Sequence, residues 1–238
     1  MICRIIFTRN SVLSIGTGNV MLSNLIVPVL NRYDLLQDMF NSIDEPIGEL
    51  IVIDNGGAAD ALFFPSLAEE VHFIQLPSNL GVATSWNLGI KLLPHHTRWF
   101  FASNDMQFMP GAMKELSHAA RDEITLTGDV PHWQCFAIGD TVVEEIGLFD
   151  EALYPAYFED NDYRRRAEAA GFNVRMLPIK TSHQNSSTIK SDEFYNNRNY
   201  VTFAYNRHYY SDKVNRNDFS EGGWRLHRRR EASWDKPR

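Results

Sequence analysis

The hydrophobic residues of this chain form short continuous runs, and these alternate with segments whose apolar positions have helical spacing. Continuous runs of four to six apolar residues are typical of strands buried on both faces, and they cover residues 25–30, 50–53 and 99–102. Strand-like segments that include polar residues cover residues 71–76, 134–138 and 172–177. Helical spacing covers residues 33–43, 83–93, 113–120, 141–146 and 159–170. Strands that alternate with helices predict an α/β fold with a mostly parallel sheet and helices on both faces.

The two ends of the chain differ from this alternating part. Residues 1–22 carry two arginines inside an apolar stretch, which predicts a poorly integrated N-terminal extension and makes Met21 a candidate first residue. We therefore expect residues 23–190 to form one α/β domain. The Gly16-Thr-Gly18 pair resembles a phosphate loop only weakly, because no strand and helix flank it.

The C-terminal part, residues 191–238, is rich in Asn, Arg and Tyr and poor in aliphatic residues, which predicts a helical and basic tail. Its first half has the spacing of an amphipathic helix, with Tyr200, Phe203 and Tyr210 on the apolar side. Residues 224–238 hold six basic and two acidic residues, a local charge of +4. We expect at most a weak contact between this segment and an anionic surface.

Composition and charge place the chain among ordinary globular enzymes, with 44% hydrophobic and 22% charged residues. The net charge of −7 argues against a general nucleic-acid-coating role. Two cysteines, Cys3 and Cys135, are too few for a disulfide framework and suit a reducing compartment. No apolar run reaches the roughly 18 residues that span a bilayer, and the N-terminus lacks the apolar segment of a signal peptide. The expected location is the cytoplasm.

Polar residues follow three of the predicted strands where each strand ends. Residues 28–32 (Pro-Val-Leu-Asn-Arg) end the first strand, Asp54 ends the second, and Ser103-Asn104-Asp105 ends the fourth. Ligands of open α/β sheets bind beyond the carboxyl ends of the strands. This edge is therefore the predicted binding site, and Asp54-Asn55-Gly56 also suits a plain turn.

A group of three acids, Glu159, Asp160 and Asp162, begins the last helical pattern of the predicted domain. Clustered acids repel each other, so the group indicates a cation site, a proton transfer or a helix start stabilised by the helix dipole. Asp162 and Arg166 are spaced to pair along the helix, and we interpret Asp162 in that structural way.

Five segments in order resemble the motifs of family 2 glycosyltransferases with the GT-A fold, rhamnosyltransferase-like members included. They are LIVPVLNRYDLL, IVIDNGG, SNLGVATSWNLGIK, WFFASNDMQFMPGAM and GLFDEALYPAYFEDNDYRRRAEAAG. The match runs over about residues 25–188, and the order and spacing of the segments carry it. The resemblance implies a Rossmann-like nucleotide-binding sheet and the transfer of a sugar from a nucleotide to an acceptor hydroxyl.

On the nucleotide side, the resemblance implies that Asp54 contacts the base of a UDP- or dTDP-sugar. The remaining positions matched to the nucleotide are Pro28, Val29, Asn31, Asn79, Asn87 and Asn104. For Asn79, capping of the following helix is an equally good interpretation.

The resemblance further implies Mn²⁺ or Mg²⁺ bound by Asp105 and His183. A divalent cation would neutralise the leaving diphosphate through carboxylate and phosphate oxygens. The sequence departs from the family's Asp-x-Asp form, because Ser103 stands at the first acidic position.

On the acceptor side, the matched Glu-Asp pair makes Asp160 the general base of an inverting transfer, with Glu159 orienting the acceptor or the base. Trp133, Tyr154 and Tyr157 are candidates for stacking on an acceptor sugar, with core packing an equal alternative for each. The acceptor class stays open among a glycan, a lipid-linked sugar, a protein and a nucleic acid.

Two other functions fit the pattern less well. A nucleotidyltransferase would carry a Gly-rich basic loop that PVLNRYDLL lacks. A catalytically degenerate module that binds a nucleotide or glycan is the alternative, because one metal-binding acid is missing. Retention of Asp105, Asp160 and His183 argues against it.

Overall fold

The computed structural model describes residues 4–9, 22–57, 64, 66, 68–128, 132–179, 181–183 and 193–220. Within these residues there are ten strands: β1 (Arg4–Arg9), β2 (Leu22–Val29), β3 (Ile47–Asp54), β4 (Ala68–Gln75), β5 (Arg98–Ala102), β6 (Met106–Phe108), β7 (Glu123–Thr127), β8 (Cys135–Gly139), β9 (Asn173–Leu177) and β10 (Thr181–His183). The helices are α1 (Tyr33–Asn41), α2 (Val82–Leu92), α3 (Ala112–Leu116), α4 (Asp140–Ile146), α5 (Glu159–Ala169) and α6 (Glu193–Asn215).

Eight of the strands form one mixed sheet in the order β1-β4-β3-β2-β5-β8-β7-β9. The pairs β4–β3, β3–β2, β2–β5 and β7–β9 are parallel, and the pairs involving β1 or β8 are antiparallel. Strands β10 and β6 form a separate two-stranded ribbon. The predicted α/β class with a mostly parallel sheet is confirmed.

The core lies on both faces of this sheet, which explains why the hydrophobic runs are continuous. Successive residues of a strand point to opposite faces, and in β2 the side chains of Leu25 and Val27 join one cluster while Ile26 joins the other. The first cluster is covered by α1 and α3, and the second by α2, α4 and α5. Helices therefore pack on both faces, as predicted.

Two parts of the sheet differ from the sequence-based expectation. Residues 4–9, expected in a loose extension, form β1 and pair with β4 from Arg4 opposite Gln75 to Arg9 opposite Glu70. Charged residues are tolerated there because β1 is an edge strand. Strand β7 (EITLT) was not predicted either, since its five residues mix polar and apolar types without a clear run. The Gly16-Thr-Gly18 pair lies outside the described residues.

Helix α6 confirms the predicted C-terminal helix but not its expected apolar side. Tyr200 is 81% exposed, whereas Asn206 and Lys213 are buried. The ring of Phe203, which is 37% exposed, and the half-buried ring of Tyr210 both contact Phe158. The basic residues 224–238 lie outside the described residues. In the described part of the chain, no helix is long and apolar enough to cross a membrane.

Candidate active site

The polar residues at the strand ends come together at one edge of the sheet. In the parallel register, Val29 lies opposite Asp54 and Asp54 lies opposite Gln75, so β2, β3 and β4 end side by side. Strand β8 runs antiparallel to β5, and this brings the residues before β8 to the same edge, where the Ser103 amide donates to the carbonyl of Gln134 at 2.7 Å.

Asp54 is fully buried at the end of β3, and its two oxygens differ. Oδ1 accepts hydrogen bonds from the Tyr33 hydroxyl at 2.6 Å and from the amides of Gly56 and Gly57 at 2.9 and 3.0 Å. Oδ2 is buried and has no hydrogen-bond partner among the described residues. Since a buried acceptor without a partner is costly, this oxygen is suited to receive an N–H donor from a ligand.

The turn after Asp54 requires glycine because it packs tightly on the end of β2. A Cβ at Gly56 would lie 1.8 Å from the carbonyl oxygen of Leu30. The turn interpretation and the binding interpretation of Asp54 are thus compatible. The turn amides bond to Oδ1, whereas Oδ2 has no hydrogen-bond partner among the described residues. Tyr33, which also holds Oδ1, was missed in the sequence because only the folded chain places it beside Asp54.

Asn31 and Asn104 join the ends of β2 and β5. The Asn104 amide donates to the carbonyls of Asn31 at 3.1 Å and Arg32 at 3.4 Å, so its side chain braces the edge. Val29 contributes its side chain to the core at 2% exposure, while Pro28 is half-buried. For Val29, only the backbone can reach a nucleotide.

Asn87 does not fit the predicted nucleotide contact. Its side chain is fully buried in α2, where Oδ1 accepts from the Phe149 amide at 2.9 Å and Nδ2 donates to the Phe149 carbonyl at 2.9 Å. A second Nδ2 bond reaches Glu151 at 2.8 Å. Because these bonds occupy the amide, Asn87 fastens α2 to the loop before α5 instead of facing a ligand.

Asn79 does not cap α2, because Gly81 occupies the N-cap position and no side chain bonds the first turn there. Its Oδ1 accepts from the Gly81 amide at 2.8 Å just before α2, and its carbonyl accepts from the Tyr154 hydroxyl at 3.0 Å. The Val82 amide donates to the Pro155 carbonyl at 2.7 Å. The segment that begins α2 is therefore bound to the aromatic loop that precedes α5.

Asp105 and His183 are brought together by the small ribbon. Strand β6 begins directly after Asp105, and His183 of β10 lies opposite Met106 in the antiparallel register. Asp105 is 8% exposed, and its charge acts on Arg32, whose pKa is raised mainly by a hydrogen bond to Asp34 and to a lesser degree by Asp105. The register thus brings the backbone of His183 near that of Asp105, and a carboxylate and an imidazole are ligand types that Mn²⁺ accepts.

Another group of possible metal ligands lies elsewhere. Glu49, Glu70 and His72 have ligand atoms within 4.8 Å of one another on β3 and β4. Glu49 precedes Asp54 by five residues, roughly 16 Å of strand. This group is thus at the opposite end of the strands, and its His72 Nε2 is 3.1 Å from Glu49 Oε2 as an ion pair.

Glu159 and Asp160 begin α5 at the predicted edge, and their environments differ. Burial raises the pKa of Glu159 well above its usual value, and the neighbouring Asp160 charge raises it further. The half-buried Asp160 also has a raised pKa, caused chiefly by desolvation and opposed by backbone hydrogen bonds and by His132. Glu159 is therefore the member of the pair that more readily holds a proton at neutral pH.

His132 lies between the strand-end residues near Ser103 and the acid Asp160, and the sequence patterns did not indicate it. It precedes the segment that bonds to Ser103, and its charge acts on Asp160. The sequence offered no signal for it beyond its position next to Trp133.

The side chain of Trp133 packs in the aromatic core, which favours the packing interpretation over stacking on an acceptor sugar. It is 8% exposed and its ring contacts Phe136, Phe149 and Tyr163 edge-on, which leaves little surface for a sugar. Tyr154 and Tyr157 are half-buried in the loop before α5, and they keep part of their surface accessible.

Asp162 pairs with Arg166 at 2.8 Å in the buried interior, as its helical spacing predicted.

Comparison with known proteins supports the fold. No protein-family model matches the chain, and no curated protein matches it. Among solved structures, GalNAc-T7 with UDP, GalNAc and Mn²⁺ superposes with a TM-score of 0.53 at 11% identity, covering 71% of this chain and 44% of that one. The residue 1–349 part of TarS from S. aureus, in complex with UDP, gives 0.51 at 16% identity, covering 67% of this chain and 59% of that one.

These likenesses define the class of fold. The sheet and helices are those of the GT-A glycosyltransferases. The chain spans about half the length of the structures that it matches, 44% and 59%.

Proposed function

We propose that this protein is an inverting, metal-assisted glycosyltransferase of the family 2 type. It would move a sugar from a UDP- or dTDP-sugar to an acceptor hydroxyl. The observation that carries the proposal is the buried Asp54 Oδ2, which lacks a hydrogen-bond partner among the described residues, at the edge shared by Asp105 and Asp160. The GT-A fold supports it.

The chemistry of Asp54 favours particular bases. A carboxylate oxygen only accepts hydrogen bonds, so it pairs with the imide N–H of uracil or thymine. Cytosine presents an acceptor at the corresponding ring nitrogen and would be disfavoured. Tyr33 and the turn amides hold the carboxylate in place, so little ordering is needed on binding.

Asp105, with His183 on the paired strand, would hold the cation. Mn²⁺ or Mg²⁺ would supply charge neutralisation to the departing diphosphate. Arg32 lies close enough to Asp105 to interact with its charge. The half-buried guanidinium of Arg32 adds a second positive group at this edge.

Asp160 would act as the general base. The acceptor hydroxyl gives its proton to the Asp160 carboxylate while its oxygen bonds to the anomeric carbon, and the carbon–diphosphate bond breaks on the opposite face. A raised pKa makes Asp160 a stronger base than an ordinary aspartate. Burial disfavours the charged form of Glu159 more strongly than that of Asp160, so we assign the role of the base to Asp160.

A degenerate binding module is the second candidate, and Ser103 in place of an acid is the observation that favours it. It would bind a nucleotide and transfer nothing. The two functions differ in one measurable quantity, the release of nucleotide from a nucleotide sugar.

The test is Asp160→Asn in an assay of UDP or dTDP release from UDP-glucose, UDP-N-acetylglucosamine and dTDP-rhamnose with Mn²⁺. Loss of a general base lowers the rate by about 10²- to 10⁴-fold, and nucleotide affinity should persist. Asp122→Asn, the same change on an exposed aspartate, is the control and should retain full activity. Near-normal release by Asp160→Asn contradicts the proposed base.

A further inference from the structure

The aromatic loop in front of α5 is held by helix α6. Phe203 contacts the rings of Tyr157 and Phe158, with centroids 5.2 and 5.1 Å apart, and Tyr210 stacks on Phe158 at 5.6 Å. The guanidinium of Arg198 donates to the Tyr154 hydroxyl at 3.2 Å. The C-terminal helix is thus packed against the segment that leads into Asp160.

The loop adopts a backbone conformation that its residues disfavour. Tyr157 has φ 78° and Phe158 has φ 73°, both in the left-handed region. Bulky aromatic residues reach this region at an energetic cost, and only where surrounding contacts hold them. Something outside the loop must therefore maintain this conformation.

Asn206 of α6 supplies the polar part of that support. Its side chain is fully buried, and Nδ2 donates to the carbonyls of Ala156 at 2.9 Å and Tyr157 at 3.3 Å. Its Oδ1 is buried without a hydrogen-bond partner among the described residues. The opposite amide orientation would place an oxygen against two carbonyls, so these two bonds fix the orientation.

We propose that Asn206 is a positioning residue for Asp160: it holds the strained loop of residues 156–158, and so the C-terminal helix completes the acceptor side of the site. The inference rests on the proposed function. It assigns to α6 a role in the reaction, whereas the sequence indicated only a tail.

The groups that face Asp160 come from three elements, and this allows a specific readout. His132 precedes β8, Glu159 begins α5, and Tyr210 lies on α6, where Asp160 contributes to raising the pKa of the Tyr210 hydroxyl. Desolvation is the main reason that the pKa of Asp160 is raised. If the loop loosens, water reaches Asp160 and its pKa falls towards the ordinary aspartate value.

The experiment compares wild-type protein with Asn206→Ala in Mn²⁺-dependent UDP release from UDP-glucose over a range of pH, with dTDP-rhamnose as the second donor. Misplacement of the base by part of an ångström should lower kcat roughly 10- to 100-fold. The KM for the donor should stay unchanged, and the acid side of the pH–rate profile should move to lower pH. Asn197→Ala, on the exposed face of the same helix, is the matched control and should behave as wild type.

A double-mutant cycle separates positioning from general loss of stability. Glycine adopts a φ of 78° without strain, so in a Tyr157→Gly background the Asn206→Ala change should cost much less kcat than in the wild type. Coupling of this kind is expected only between groups that act together.

Each outcome decides a different question. Absence of nucleotide release by the wild type with every donor overturns the proposed function and the positioning role together. An active wild type with an equally active Asn206→Ala overturns the positioning role alone. So does a variant whose kcat falls without any shift in the pH profile and to the same extent in both backgrounds.

Discussion

The adjacent acids Glu159 and Asp160 illustrate how position sets the chemistry of a side chain. Both begin α5, yet Glu159 is 6% exposed and Asp160 is half-buried. Burial penalises the charged form of a carboxyl group, and a neighbouring charge adds to the penalty. Burial therefore favours the neutral form of Glu159 more strongly than that of Asp160.

Glu159→Gln tests this division through stability. The pKa of Glu159 is raised in the folded protein from about 4.5, so between 4.5 and its folded value the folded state retains a proton that the unfolded state has lost. Wild-type stability then falls as pH rises through this window. Glutamine does not titrate, so the variant does not lose stability in this window. The stability of the variant relative to wild type should therefore increase with pH above 4.5 and be constant below it.

Thermal melts from pH 4 to pH 8 would measure the difference. Glu145→Gln is the control, because Glu145 is exposed on α4 and its replacement should leave the pH dependence of the melting temperature unchanged. A difference between Glu159→Gln and wild type that does not vary with pH would contradict the neutral assignment.

The residues of the site were predictable only where chemistry and position in a motif coincide. Asp54 stands at the end of β3, Asp105 directly before β6 and Asp160 in the first turn of α5, and their roles in the site stay predictions. Asn87 and Trp133 stand in equally good motifs, but burial redirects the first to Phe149 and the second to the aromatic core. Burial depends on the tertiary packing, which local patterns do not report.

Among the helices, α6 makes the contacts that differ most from those its sequence pattern predicted. Lys213 is 1% exposed and its Nζ lies 2.7 Å from Asp150 Oδ2 and 2.8 Å from Asp162 Oδ1. Asp150 belongs to the loop before α5, and Asp162 lies in the first turns of α5. The buried ammonium of Lys213 therefore links α6, the loop before α5 and α5. On this side of α6 the contacts are ionic, whereas an apolar side was predicted.

Lys213→Met should destabilise the fold strongly. Removing one partner of a buried ion pair leaves uncompensated charge and costs about 3–5 kcal/mol. Urea denaturation of the variant should show this loss, while Lys114→Met on the exposed side of α3 should change stability little. Adding Asp150→Asn to Lys213→Met should restore part of the loss, and a Lys213→Met variant as stable as wild type would contradict the buried ion-pair network.

The strands show which elements local patterns can reveal. Strands β2, β3 and β5 are buried on both faces and gave continuous apolar runs. Strand β1 carries arginines at both ends, and the three-residue strands β6 and β10 are too short for any periodicity to be recognised. These strands are defined by pairing with distant partners, which is a property of the fold and not of the segment.

In the assembled protein, the carboxyl edge of the sheet gathers groups from the whole described chain. Asp54 ends β3, Asp105 precedes β6, His132 precedes β8 and Asp160 begins α5, and α6 packs against the loop before α5. Order along the sequence indicated the first, second and last of these. In the proposed function, Asp54 would mark the base-binding end of the site and Asp160 its acceptor end.

The most direct measurement is calorimetric titration of UDP, with and without Mn²⁺, into wild-type protein, Asp54→Asn and Asp38→Asn. An asparagine retains Oδ1 for Tyr33 and the turn amides, so Asp54→Asn should fold, but it presents an N–H₂ donor to the N–H of uracil. Loss of a hydrogen bond to a charged group costs about 1.5–3 kcal/mol, or roughly 10- to 150-fold in affinity. Asp38, exposed on α1, supplies the same substitution away from the edge. The account predicts Mn²⁺-enhanced binding that Asp54→Asn alone weakens; wild-type protein that binds neither UDP nor, in a parallel titration, dTDP, or an Asp54→Asn variant that binds the nucleotide equally well, would contradict it.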